Sequence, residues 1–186
     1  MLGTLNKRIN FICLILCIAY FVPTNEIAFA SSNDTPPSFE EKFTQVGYKS
    51  AEEAIKEFEN HFEQDVKLPK IKPSIPFTHQ FGRFYEDKHY DTNDFLSIHF
   101  VNEKSRENNY KVDIRPLKNK INFKDRGNQK VYTLENGQKA IYMDDAPIMN
   151  FLVFEKDNWQ YMLGIDKKVS NKVTPEMLVK IANSTD

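Results

Sequence analysis

Four histidines and a run of acidic side chains are the residues of this sequence best suited to chemistry. No two histidines stand three or four residues apart, the spacing that lets one helix face present two imidazoles to a zinc ion. They are His61, His79, His89 and His99. Both cysteines, Cys13 and Cys17, belong to an amino-terminal segment that we expect to be cleaved off. The sequence therefore predicts no metal site.

The acidic segment DKHYDTND, residues 87–94, could in principle hold calcium through its carboxylates. Its candidate ligands are Asp87, His89, Asp91 and Asp94. The segment lacks the central glycine and the distal glutamate of a calcium-binding loop. We interpret it as a solvated loop between two strands.

Other catalytic arrangements have equally little support. Asp144 and Asp145 could serve as an acid and a base, but adjacent residues of a strand point to opposite faces, so we expect this pair to lie in a turn. No G-x-S-x-G motif is present, and the 6 glycines form no phosphate-binding loop. We expect a protein that is not an enzyme, with no catalytic residue and no cofactor.

The amino-terminal segment has the three parts of a secretory signal. Basic residues precede an apolar run, residues 9–22, and a small-x-small motif ends at Ala30. This pattern predicts a signal peptide over residues 1–30, cleaved between Ala30 and Ser31, and therefore a secreted or extracytoplasmic protein. The alternative is an uncleaved membrane anchor, but the apolar run is shorter than the roughly 20 residues that a spanning helix needs. We expect no stable membrane insertion after cleavage.

The remaining 156 of the 186 residues suffice for one domain with a substantial core. We assign residues 31–47 to a mobile linker and residues 48–186 to a single domain. Two basic residues and one acidic residue leave with the signal, so 25 basic and 26 acidic residues become 23 and 25. A chain so nearly balanced, without a polybasic run, is not expected to bind nucleic acid. The mature chain has no cysteine, so its stability must come from packing rather than from disulfides.

Strand patterns dominate the second half of the chain. Four segments alternate with turn residues and predict four consecutive antiparallel strands. They are 131–134, 140–143, 151–154 and 159–165. Asn136-Gly137 predicts a type I′ hairpin turn between the first two, since this turn requires two residues with positive φ. The third segment is almost wholly apolar, which is typical of a strand covered on both faces.

Further strands are predicted upstream, with one helix before them and one at the carboxyl end. The upstream candidates are 77–86, 95–101, 110–114 and a short fourth around Ile121 and Phe123. Alternation in the second of these predicts that His99 faces solvent. Ser50 and Glu53 form a capping box for the first helix, and Thr174 with Pro175 begins the last one. We therefore predict an α+β fold: an antiparallel meander sheet of about six to eight strands with both helices packed on it.

Several short motifs resemble an uncharacterised domain family of Gram-positive bacteria. They are Tyr48–Ala54, Leu68–Pro69, Pro73, Leu134–Gly137, Phe154–Asp157, Tyr161 and Val173–Ser184. Members of that family occur as small exported proteins, as lipoproteins and as the extracytoplasmic part of anti-sigma-factor-like proteins. The resemblance covers residues 48–184 and implies an exported α+β domain without catalytic residues.

Three function classes follow from these patterns. The first is an exported, non-enzymatic domain that recognises a protein or a cell-envelope component through an exposed sheet face or strand edge. The second is a carrier of an apolar or lipid-like ligand in a curved half-barrel, suggested by the 15 phenylalanines. The third, a cell-wall hydrolase, ranks last because no nucleophile, metal set or spaced carboxylate pair can be named.

Overall fold

The structure is a computed structural model that describes residues 36–89, 93–124, 127 and 129–185. The predicted signal peptide and the Ala30–Ser31 cleavage site lie outside these residues. Pro37–Asp186 forms one compact unit. Its described part contains three α-helices and seven β-strands. The helices are α1 (Phe39–Gln45), α2 (Ala51–Phe62) and α3 (Pro175–Asn183).

The seven strands form one antiparallel sheet in the order β1-β2-β3-β7-β6-β5-β4. They are β1 (His79–Tyr85), β2 (Phe95–Val101), β3 (Asn109–Pro116), β4 (Lys130–Thr133), β5 (Lys139–Met143), β6 (Met149–Lys156) and β7 (Trp159–Asp166). The predicted α+β class and antiparallel sheet are confirmed. The order differs from that of a single meander, because β7 rather than β4 pairs with β3. Two meanders, β1 to β3 and β4 to β7, therefore meet in the middle of the sheet.

The two tight turns of the second meander differ from the sequence prediction in where successive residues have positive φ. Gly137 has a φ of 82°, but Asn136 does not have a positive φ, so the predicted type I′ turn at Asn136-Gly137 is wrong. Gly137 N–H donates to Leu134 O at 2.9 Å, which gives a three-residue loop whose last residue is left-handed. Positive φ at two successive residues occurs instead at Asp157 and Asn158, with values of 48° and 69°.

One face of the sheet, called the inner face here, carries the hydrophobic core. Its largest buried side chains come from the central strands and from α2 and α3, and they include Phe58, Tyr110, Phe154, Trp159, Tyr161 and Leu178. The Phe58 ring of α2 lies 4.9 Å from the Trp159 ring. Trp159 Nε1 donates to Asp65 O at 3.1 Å, and Tyr161 Oη donates to Lys67 O at 2.9 Å. These bonds tie the chain beyond α2 to β7.

Helix α2 approaches the edge strand β1 very closely. A Cβ atom at Gly82 would lie 2.7 Å from Ala54 Cβ and 2.8 Å from Ala51 Cα. Lys49 and Gly82 exchange two backbone hydrogen bonds of 2.8 Å just before the helix begins. Ser50 caps α2 with the predicted capping box, in which Glu53 N donates to Ser50 Oγ at 3.2 Å. Only glycine at position 82 allows this separation between helix and strand.

The opposite face, called the outer face here, is covered at one end by α1. Residues 39–45 belong to the segment that the sequence analysis assigned to the linker, yet they form a helix with a capping box between Ser38 and Glu41. Phe43 stacks on Phe81 of β1 with ring centroids 4.2 Å apart. Two phenylalanines at positions i and i+4 give this short helix one aromatic side, which explains why it packs on the sheet.

Candidate binding surface on the outer face of the sheet

The histidines lie in two regions of the fold, with His61 and His89 near the β1–β2 loop and His79 and His99 on either side of Phe81 of β1. His61 at the end of α2 contacts the buried carboxylate of Asp94, with Nε2 3.1 Å from Oδ2. The other Asp94 oxygen accepts from Asp87 N at 2.6 Å. Asp94 therefore ties the β1–β2 loop to α2. Among the described residues, no group of three or more histidine, cysteine or acidic side chains could hold a metal ion.

The acidic candidates of the sequence analysis do not converge on one point. Asp87 accepts from His89 N at 3.1 Å and from Asn93 Nδ2 at 3.0 Å, which are local bonds within the loop. Asp91 lies outside the described residues. Asp144 and Asp145 are exposed between β5 and β6, the position expected from the sequence.

The prediction that His99 faces solvent is wrong. Its imidazole lies under α1, 5.8 Å from the Phe43 ring and 5.9 Å from the Tyr48 ring. Nε2 is 2.6 Å from Asn109 Oδ1, and burial lowers the pKa of His99 below its ordinary value. The prediction failed because the alternation of β2 identifies a second face but does not show that α1 covers it.

A buried polar cluster occupies the outer face beside α1. Three of its atoms have no hydrogen-bond partner among the described residues, namely Ser97 Oγ, His99 Nδ1 and Asp113 Oδ1. Lys111 Nζ lies 2.8 Å from the other Asp113 oxygen. Tyr48 also belongs to this cluster. Burial and the Tyr85 hydroxyl, which lies 3.3 Å from the Tyr48 hydroxyl, raise the pKa of Tyr48. A tyrosine with a raised pKa stays protonated and cannot act as a base near neutral pH.

The other end of the outer face is crossed by an extended segment, residues 120–124, which we call the strap. Gln160 of β7 holds it with both ends of its side-chain amide. Ile121 N donates to Gln160 Oε1 at 2.9 Å, and Gln160 Nε2 donates to Ile121 O at 3.0 Å. Lys120 adds an exposed ion pair with Glu155 at 3.0 Å. The short strand predicted around Ile121 and Phe123 is therefore wrong, because this backbone bonds to a side chain rather than to a neighbouring strand.

A groove runs along each side of the strap. The first has a volume of about 430 Å³. The second has a volume of about 620 Å³. Side chains of the strap line both, and the sheet supplies Ile141 and Val153 to the first and Met143, Phe151 and Met162 to the second. Both volumes lie in the range typical of ligand-binding clefts.

The surface around the grooves is apolar and open. Val131 on the edge strand β4 is 61% exposed and lies opposite Ile141 of β5. Three of the chain's 5 methionines lie on outer-face positions of the sheet, at 143, 149 and 162. Methionine side chains adapt to differently shaped partners and are frequent at permissive binding surfaces. We call this area, with the strap and its two grooves, the outer-groove surface.

A smaller cavity on the inner face bears on the carrier hypothesis. It has a volume of about 280 Å³ and lies between residues 68–72 and strands β1 to β3. The side chains at its base, Ile98, Tyr110 and Val112, are at most 3% exposed. The opening therefore reaches little of the apolar core, and a lipid-like molecule finds less accessible surface here than at the outer grooves.

Comparisons of the chain with models of known protein families, with curated proteins and with solved structures gave no significant match. The family resemblance suggested by the sequence motifs therefore stays a prediction. No helix within the described residues is both long enough and apolar enough to cross a membrane.

Proposed function

We propose that this protein is an exported, non-enzymatic domain that binds another polypeptide at the outer-groove surface. The observation that carries the proposal is an apolar, methionine-lined sheet face on which the strap leaves two grooves open to solvent, in a domain whose other face is closely covered. On the inner face the core side chains of β7 are at most 1% exposed, whereas Val131 on the outer face is 61% exposed. Open apolar area of this kind is typical of binding sites.

The position of the surface at a sheet edge also supports a polypeptide partner. Strand β4 is the last strand of the sheet, and no other described segment pairs with its outer edge. An extended chain could add to this edge while its side chains reach the grooves. We propose, as the sequence suggested, that α2 and α3 both pack on the inner face, which would leave the part of the outer face beyond α1 to a partner.

Export is proposed from the signal-like segment that precedes the domain. A cysteine-free mature chain is compatible with an oxidising compartment, because it has no thiol to mispair. The partner would then be a protein of the cell envelope or of the extracellular space, as in the family that the sequence resembles.

Site-specific photocrosslinking in the native host tests the proposal. A photoreactive phenylalanine analogue replaces Val131 in one variant and Val46 in a matched control. Both valines are more than half exposed, at 61% and 56%, so neither replacement should disturb folding. We expect a discrete adduct from position 131 and none from position 46. Equal labelling at both positions, or none at either, would contradict the proposal.

A further inference from the structure

We infer that the strap occupies the outer-groove surface as a resident peptide and that the natural ligand is an extended apolar segment which takes its place. This inference rests on the proposed function and names the class of ligand. It follows from how the strap is held and from what lies on either side of it.

The strap shows which peptide chemistry the surface accepts. Gln160 is 5% exposed, and its amide pairs with both the N–H and the C=O of one residue, Ile121. A carboxamide used in this way recognises backbone rather than a particular side chain. Ile121 and Phe123, two positions apart, line both grooves. The matching ligand is an extended segment with large apolar residues at positions i and i+2.

Few polar contacts hold the strap, and Phe123 alone of its five side chains is partly buried. Beyond the Gln160 amide, its described contacts to the sheet include one ion pair, Lys120 with Glu155, whose side chains are 40% and 44% exposed. Exposed ion pairs contribute little. Ile121 itself remains 37% exposed. Because the two grooves share the strap as a wall, its displacement would join them into one channel across β5, β6 and β7.

A peptide added in trans tests this inference. The probe is a dye-labelled synthetic peptide with the sequence of residues 118–124, KNKINFK, and the control peptide carries serine in place of its isoleucine and phenylalanine. Binding is measured by fluorescence anisotropy to the wild-type chain and to the double variant Ile121→Ser, Phe123→Ser. A tethered strap competes at a millimolar effective concentration. We therefore expect at least tenfold tighter binding to the double variant, and no binding of the control peptide.

A second measurement does not depend on the folding of the variant. Hydrogen exchange of the Ile121 amide in the wild-type chain should accelerate when the probe peptide is added in excess and stay unchanged with the control peptide. Equal binding of both peptides, or an Ile121 amide that is insensitive to the probe, would overturn the inference. If position 131 still forms a discrete adduct in cells, the proposed function survives and the partner binds without displacing the strap.

Discussion

Replacing Gly82 with alanine tests how closely helix α2 lies on strand β1. The added methyl group would meet Ala54 Cβ at 2.7 Å, Ala51 Cα at 2.8 Å and Ser50 O at 2.9 Å. Carbon atoms normally approach to about 3.5–4.0 Å, so the helix would have to move by roughly 0.8 Å. Two of the three contacted atoms belong to the backbone, and the Lys49–Gly82 hydrogen bonds hold the chain next to the helix. The movement therefore cannot be avoided by rotating a side chain.

Overpacking of this kind costs about 1–3 kcal/mol, and we expect the upper half of that range at Gly82. Gly164→Ala is the matched control, because its methyl group would meet Phe151 Cε1 at 2.9 Å and Met149 Cε at 3.1 Å. Both contacts are side-chain ends on the open outer face, so we expect a loss below about 1 kcal/mol. Urea unfolding followed by Trp159 fluorescence measures both. If Gly82→Ala costs no more than Gly164→Ala, the packing argument fails.

Three further perturbations have defined outcomes. Trp159→Phe removes the hydrogen bond to Asp65 O and shrinks a side chain that is 1% exposed, so urea unfolding followed by circular dichroism should show a loss of about 1–3 kcal/mol. The lowered pKa of His99 means that the folded state disfavours its protonated form. The stabilising contribution of neutral His99 is complete above its pKa in the unfolded chain, about 6.5. This contribution is lost as the pH falls from there towards the lower pKa of His99 in the folded state. The wild-type chain should therefore lose stability over that interval, and His99→Gln should lose less; identical profiles would contradict this. Phe43→Ala should speed hydrogen exchange throughout α1 and leave α2 unchanged, and protection that persisted in α1 would show that the aromatic stack does not hold it.

Local patterns predicted the secondary structure well because caps and alternation act within a few residues. The capping box at Ser50 and the cap at Thr174 begin helices as expected. The apolar run 151–154 predicted a strand covered on both faces, and Val153 is indeed only 4% exposed on the outer face. The pattern identifies such positions without showing what covers them.

Long-range arrangements could not be read from the sequence. His99 looked solvent-facing because nothing in β2 indicates that the ring of Phe43, far away in the chain, packs edge-on against it. Ile121 and Phe123 alternate like strand residues, but the Ile121 backbone forms its hydrogen bonds with the side chain of Gln160, which is distant in sequence, and not with another strand. The two outer grooves lie on either side of the strap that Gln160 holds. Apart from the methionines that line the candidate binding surface, no short sequence pattern therefore predicts it.

Methionine oxidation on intact cells tests the central claim most directly. Met149 and Met162 lie half-buried on the outer face, and Met177 lies half-buried on α3 as an internal control. Oxidation by a small oxidant is compared between the purified protein and the protein in its native envelope, with mass spectrometry at each site. We expect Met149 and Met162 to be protected in the envelope and Met177 to react equally in both settings. Equal oxidation of all three methionines in both settings would contradict the claim.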